Sequence, residues 1–150
     1  MKIINTSNLT QVRKQIQQLK KDKQQVIVQA QDDAFNRKIL ENKDIDILLS
    51  PESHTRKDYM KQRDSGLNEI LCKLAKKNNI KIGINLQQLK SLPTKQKAII
   101  LARIKQNIQL CKRTKTKIII YPKNNFTKQE IMSFMQTLGT STSQAKQAII

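Results

Sequence analysis

Apolar positions along this chain fall into two kinds of stretch: short β-branched runs, and segments in which apolar residues recur every three or four positions. The runs at residues 2–4, 26–29, 45–49, 80–86 and 117–121 have the length and composition of strands. Between them the helical spacing predicts helices over 9–21, 33–41, 65–77, 93–113 and 127–138, and a short last helix over 143–150. The first helix gathers Val12, Ile16 and Leu19 on one face and leaves Arg13, Lys14, Lys20 and Lys21 largely off it. In the third, Leu67, Ile70, Leu71 and Leu74 predict the buried stripe, with Asp64 or Ser65 as cap. Lys76 and Lys77 sit at the end of that helix whose dipole favours cations. Pro93 and Thr94 open the longest helix, with Leu101, Ile104, Ile108 and Cys111 facing inward. Asp32 or Asp33 caps the second helix, and Gly139 stops the fifth.

Strands that alternate with helices need crossover connections, and crossovers join parallel neighbours. The chain is therefore expected to be an α/β protein with a parallel sheet. Its 150 residues suit a single domain. The apolar content of 37% and aromatic content of 3% predict a lean core.

Charge changes the picture most. Twenty-nine Lys and Arg stand against eleven Asp and Glu, a formal net charge of +18. Such an imbalance repels itself in the compact state and attracts polyanions, and RNA or DNA is the polyanion it favours. A solubility charge on an Ala-, Ile-, Lys-, Asn- and Gln-rich chain is the plainer alternative. No apolar run approaches the ~20 residues that span a bilayer, and the N-terminal MKIINTSNLTQVRK lacks the apolar stretch of a signal peptide. Cys72 and Cys111 each lie in a helical apolar pattern, which predicts buried reduced thiols in a cytoplasmic protein.

The residue types that perform chemistry are scarce. His54 is the sole histidine, in a polar loop, so a polynuclear metal site has no imidazole set, and the two separated cysteines do not make a zinc site. Asp44 and Asp46 are two apart at a strand start and read as solvated residues, while Asp58 and Asp64 read as surface ion-pair partners. With three glycines in all, no phosphate-cradling loop is present, and no serine has a triad around it. No catalytic residue, metal ligand or cofactor is expected in this chain.

Cations instead concentrate in one loop. Arg56, Lys57, Lys61 and Arg63 lie between a strand's carboxyl end and a helix start, where α/β proteins gather their functional loops. Ser65 and Gly66, expected to open that helix, would add backbone N–H groups for a phosphate, and Asn68 is expected to face outward beside them. A protein contact and a solvated loop are the other readings this segment admits. Lys112, Arg113 and Lys115 form a weaker RNA-contact candidate at the opposite end of the sheet, where cations also simply complement a helix terminus. The aromatics are scattered; Tyr59, inside the basic loop, is expected to be a packed ring. Binding is expected to address backbone and shape, with little base reading.

The stretch 44–86, DIDILLSPESHTRKDYMKQRDSGLNEILCKLAKKNNIKIGINL, carries a distinctive wording: a DxLLSP strand end, then R-K-D, then D-S-G-L-N-x-x-L-x-K-L-A-K-K-N, then an apolar strand. This wording resembles archaeal ribonuclease P protein component 3, a family shared with a eukaryotic subunit. Helix–strand order and the S-x-x-Q-A-K segment near 141–146 extend the resemblance more weakly over the rest of the chain. It implies a TIM-barrel-like fold of parallel βα repeats. A closed barrel needs eight strands and about 250 residues, so an incomplete barrel is expected, with the family's first strands missing ahead of Met1 and a short tail. It further implies a protein subunit of the ribonucleoprotein endonuclease that removes the 5′ leader of precursor tRNA. The implied partners are the catalytic RNA, precursor tRNA, protein component 2 and the other protein subunits, without a membrane or a small-molecule substrate. Hydrolysis would belong to magnesium on the RNA. The alternative is a general basic RNA-binding or ribosome-assembly protein.

Overall fold

The computed structural model describes residues 2–149. Its elements are β1 Ile3–Ile4, α1 Leu9–Lys21, β2 Ile27–Gln29, α2 Asp33–Leu40, β3 Ile47–Leu49, α3 Glu69–Lys77, β4 Lys81–Asn85, α4 Leu86–Lys90, α5 Thr94–Thr114, β5 Ile118–Tyr121, a 3-10 turn Lys123–Asn125, α6 Lys128–Thr137 and α7 Thr142–Gln147. All five strands are parallel and lie in sequence order, β1 to β5. Sequential parallel order is the winding of a barrel sector; a doubly wound sheet would reverse direction partway. The result is an open α/β sheet with β1 and β5 at its edges, of TIM-barrel-like winding, as expected.

Strand alternation separates two apolar layers. Ile4, Val28, Leu48, Ile82, Ile84, Ile118 and Ile120 point to the helices and join Val12, Ile16, Leu19, Leu71, Ile104 and Ile108 in the main core. Ile27, Ile47, Leu49 and Ile119 form a smaller layer on the other face, flanked by Ile3 and Tyr121. Gly83 belongs to this second face: a Cβ there would come within 2.9 Å of Ile47 Cγ2 and 3.0 Å of Leu49 Cδ1, so the missing side chain is room those residues fill. At the edge of β5, the Ile120 N–H donates to Ala148 O at 3.1 Å, and Ser141 caps α7. The S-x-x-Q-A-K segment is therefore structural: Gln144 Nε2 donates to Ile108 O and Ala145 is fully buried.

Three expectations need correction. The third helix begins at Glu69, with Asn68 as its N-cap accepting from Leu71 N at 2.9 Å, and neither Asp64 nor Ser65 caps it. Its buried face is consequently Leu71, Cys72 and Ala75, and Ile70 is 67% exposed. Leu67 precedes the helix and packs from the loop, so it does not set the helical phase. The run 80–86 also splits: the strand ends at Asn85, whose side chain accepts from Gln88 N and starts the extra helix α4. Of the short last helix, Ile150 lies outside the described residues.

Candidate functional site

The segment between β3 and α3 is long and has no regular structure, yet it is tightly held. Its anchor is Arg103, a 4% exposed arginine on the core face of α5. Its Nη1 donates to the carbonyls of Glu52 (3.1 Å) and His54 (2.8 Å), its Nη2 to that of Arg56 (2.8 Å), and its Nε to Asp58 Oδ1 (3.0 Å). The planar fork of a guanidinium suits it to several acceptors at once. Asn107, one turn on, donates to Ser65 O at 3.0 Å, and Gln106 reaches Arg63 O and Ser65 Oγ.

Two aspartates complete the frame. Asp58 accepts from Asp64 N at 2.8 Å and from Arg63 Nη1 at 3.0 Å as well as from Arg103. Partial burial pushes its carboxyl up, but these hydrogen bonds outweigh that and hold it below the ordinary range. Asp64 is likewise raised by burial and lowered further by Arg56 Nε at 3.1 Å, His54 and Gly66 N–H, so it too stays ionised. His54 Nε2 lies 2.6 Å from Asp64 O, and a carbonyl can only accept, so the proton sits on Nε2. Burial holds the ring's pKa below its usual value, and Arg103 and Arg56 lower it further against the Asp64 carbonyl. Its 3.5 Å approach to the Asp64 carboxylate is thus not an ion pair at neutral pH. Glu52 is buried outright, and desolvation raises its pKa to about 7 despite its own backbone hydrogen bond and Arg103.

The residues singled out in the sequence divide into three groups. Lys57 and Lys61 are exposed on the loop, and Asn68 is exposed at the start of α3. Arg56 and Arg63 are on the same loop with side chains 40% and 48% exposed, but each is tied to an aspartate that shapes the loop. Ser65 and Gly66 are a correction: both are buried, and the Gly66 N–H is taken by Asp64 Oδ1 at 3.3 Å. They do not present backbone N–H groups to a phosphate. Gly66 has φ +78° and lies so close to Pro51 that a Cβ would overlap the Pro51 carbonyl oxygen, which explains why glycine stands there. Asp58 and Asp64 are ion-paired as expected, though as internal struts of the loop, and Asp46 Oδ2 accepts from Val26 N at 2.8 Å.

Lys112, Arg113 and Lys115 are exposed at the C-terminal end of α5, with Lys115 in the left-handed C-cap conformation at φ +59°. Lys73 lowers the carboxyl pKa of Glu69, the neighbour of Asn68 at the start of α3, and Arg113 is close enough to add to that effect. Cys72 and Cys111 are buried free thiols that meet between α3 and α5. Among the described residues, no group of three or more His, Cys, Asp or Glu is placed to hold a metal ion, and no helix is long and apolar enough to cross a membrane.

Tyr59 overturns its expectation: the residue is 55% exposed rather than packed. Arg103 and Asn107, the residues that organise the site, were missed altogether. The available signal was their position. Both share the stripe of Ile100, Ile104, Ile108 and Cys111, and a polar residue on a buried face needs partners.

No family model matches the chain. Curated proteins do, and they bear out the resemblance in the sequence. Ribonuclease P protein component 3 of Methanococcus vannielii is 27% identical over 117 residues, covering 78% of this chain and 48% of that protein. The component 3 protein of Methanosarcina acetivorans is 32% identical over 95 residues, covering 63% of this chain and 36% of its own length. That of Methanothermobacter thermautotrophicus is 21% identical over 152 residues, 98% of this chain and 59% of its own. This chain thus spans about half the length of the first two curated relatives or less. Among solved structures, a chain in a cryo-EM structure of archaeal ribonuclease P with mature tRNA superposes with a TM-score of 0.78 at 22% identity, covering 98% of this chain and 62% of that one. That likeness establishes the shared fold.

Proposed function

We propose, taking the similarity to archaeal ribonuclease P protein component 3 as the premise, that this chain serves as a protein subunit of ribonuclease P. In this role it supports the catalytic RNA in removing the 5′ leader of precursor tRNA. The observation that carries the reading is the match to component 3 proteins over 78% of the chain, which includes the clamped loop. Its partners on this reading are the catalytic RNA, precursor tRNA, protein component 2 and the other protein subunits, in the cytoplasm; buried free Cys72 and Cys111 suit a reducing compartment.

The chemistry assigned to this chain is electrostatic. Lys57 and Lys61, with the exposed parts of Arg56 and Arg63, would screen phosphates where RNA segments approach one another, and the Asn68 amide nitrogen would donate to one. Lys112, Arg113 and Lys115 would make a second, weaker contact. Hydrolysis is assigned to magnesium held by the RNA, in keeping with a loop whose Asp58 and Asp64 are engaged by arginine and whose Glu52 is buried with its pKa raised to about 7.

The test is reconstituted cleavage of precursor tRNA by the catalytic RNA and the other protein subunits, with and without this chain. Faster cleavage that also requires component 2 supports the subunit role. The charge of +18 favours one rival, a general basic RNA binder. Unchanged cleavage with a folded chain that binds unrelated RNAs equally well would establish that rival.

A further inference from the structure

Large apolar side chains are mostly inside this protein; Tyr59 at 55%, Met60 at 104% and Ile70 at 67% are the exposed ones among the described residues. Two of them are adjacent, at the tip of the loop that Arg103 clamps. Asp58 and Asp64 close that tip through the 2.8 Å bond from Asp64 N to Asp58 Oδ1, so residues 59–63 project from a pinned base. Gln106 Nε2 holds the far side at Arg63 O, 3.0 Å away. An open hollow of about 560 Å³ lies between residues 58–63 and Gln106.

The surroundings indicate what would cover the pair. Lys57 and Lys61 flank it and are exposed, and Arg63 adds a half-exposed guanidinium. Among the described residues, the only carboxylate lining the hollow, that of Asp58, is already taken by Arg63 and Arg103. An aromatic face between cations, on a base that costs little further ordering, is the arrangement that receives a stacked base and its neighbouring phosphates.

We propose that the 59–63 tip binds an unpaired stretch of RNA, with a base stacked on Tyr59, Met60 against its edge, and Lys57 and Lys61 on the flanking phosphates. The inference rests on the RNA-binding reading above and adds to it a preference for single strands, against the expectation of binding to backbone and shape with little base reading.

The test uses the full chain and two labelled probes, a twelve-nucleotide oligoadenylate and a fully paired RNA duplex of about the same length, each titrated across a salt series. Stacking predicts that Tyr59→Ala weakens oligoadenylate binding roughly tenfold. The salt slope and duplex affinity should stay unchanged, and Tyr59→Phe should bind as the parent does. Lys57→Gln with Lys61→Gln should flatten the single-strand salt slope by about 1.4, or ~0.7 per lost phosphate contact. A Tyr59→Trp variant should show its fluorescence quenched by oligoadenylate, independent of any affinity change. If the parent binds oligoadenylate and Tyr59→Ala binds it equally well, the inference is wrong while RNA binding stands. Equal loss on both probes would also overturn stacking. Intact RNA binding with lost stimulation of reconstituted cleavage would assign the tip to a protein partner. A parent chain that binds neither probe overturns both this inference and the RNA-binding reading.

Discussion

Arg103 shows how much one side chain can decide. It satisfies three loop carbonyls and one carboxylate from a nearly dry position, so removing it strands acceptors that water reaches poorly. Arg103→Ala should therefore cost roughly 3–5 kcal/mol in urea unfolding and open the loop to proteolysis. Arg103→Lys should recover little, because a single ammonium cannot span acceptors arranged for a planar fork. An Arg103→Ala midpoint equal to the parent's would refute the clamp. Glu52 makes the opposite kind of contribution. Its folded-state pKa of about 7 lies above the ordinary 4.5, so the folded state holds the proton more tightly than the unfolded chain. The stability linked to that proton is complete below about pH 4.5 and is lost as pH rises through 7. Glu52→Gln should consequently stabilise the protein at pH 8, by up to about 3 kcal/mol, and have little effect at pH 4. Melting curves at the two pH values check this; an equal shift at both would dissociate the effect from ionisation.

At the scale of elements, α3 makes the sharpest statement. With its start at Glu69, Ile70 faces solvent and Leu71 faces the core at 3% exposure. Ile70→Lys should leave the melting temperature nearly unchanged, whereas Leu71→Ala should cost about 2–5 kcal/mol; comparable losses from the two substitutions would restore the phase read from the sequence, which buries both residues. That phase was misjudged because Leu67, an apolar loop residue at a helix-compatible spacing, is indistinguishable in a pattern from a first-turn residue. Where periodicity is long and unambiguous the sequence was sufficient: α1 spans Leu9–Lys21 as expected, with Val12, Ile16 and Leu19 buried. The loop's cations were legible as a cluster, but the distinction between Lys57 and Lys61, which are exposed, and Ser65 and Gly66, which are buried, was not. That distinction is made by α5, whose Arg103, Gln106 and Asn107 pull the loop down from about forty or more positions away in the chain. The same contacts say which substitutions test binding cleanly. Arg56 and Arg63 hold Asp64 and Asp58, so replacing them disturbs the loop as well as its charge.

For the whole molecule, the net charge of +18 acts in opposite directions on folding and on binding. Screening relieves self-repulsion in the compact state, so raising monovalent salt from low levels should raise the melting temperature. The same salt should weaken RNA association steeply, because each counterion released into a more concentrated solution gains less entropy. Calorimetry and a binding titration over one salt series check the pair of signs, and a melting temperature that falls with salt would mean that attractive ion pairs outweigh the repulsion. The clamp also orders events in time. Arg103 lies 45 positions from Asp58 and 51 from Glu52, so the loop stays unpinned until α5 has docked against the earlier strands. Closing so long a chain segment is slow relative to forming a helix or a local turn. In pulse-labelled hydrogen exchange, the Asp64 and Gly66 amides should gain protection only together with α5, later than those of α1. A chain still emerging during synthesis would then carry its charge before it carries its binding surface, and nascent molecules would attract RNA without discriminating among RNAs.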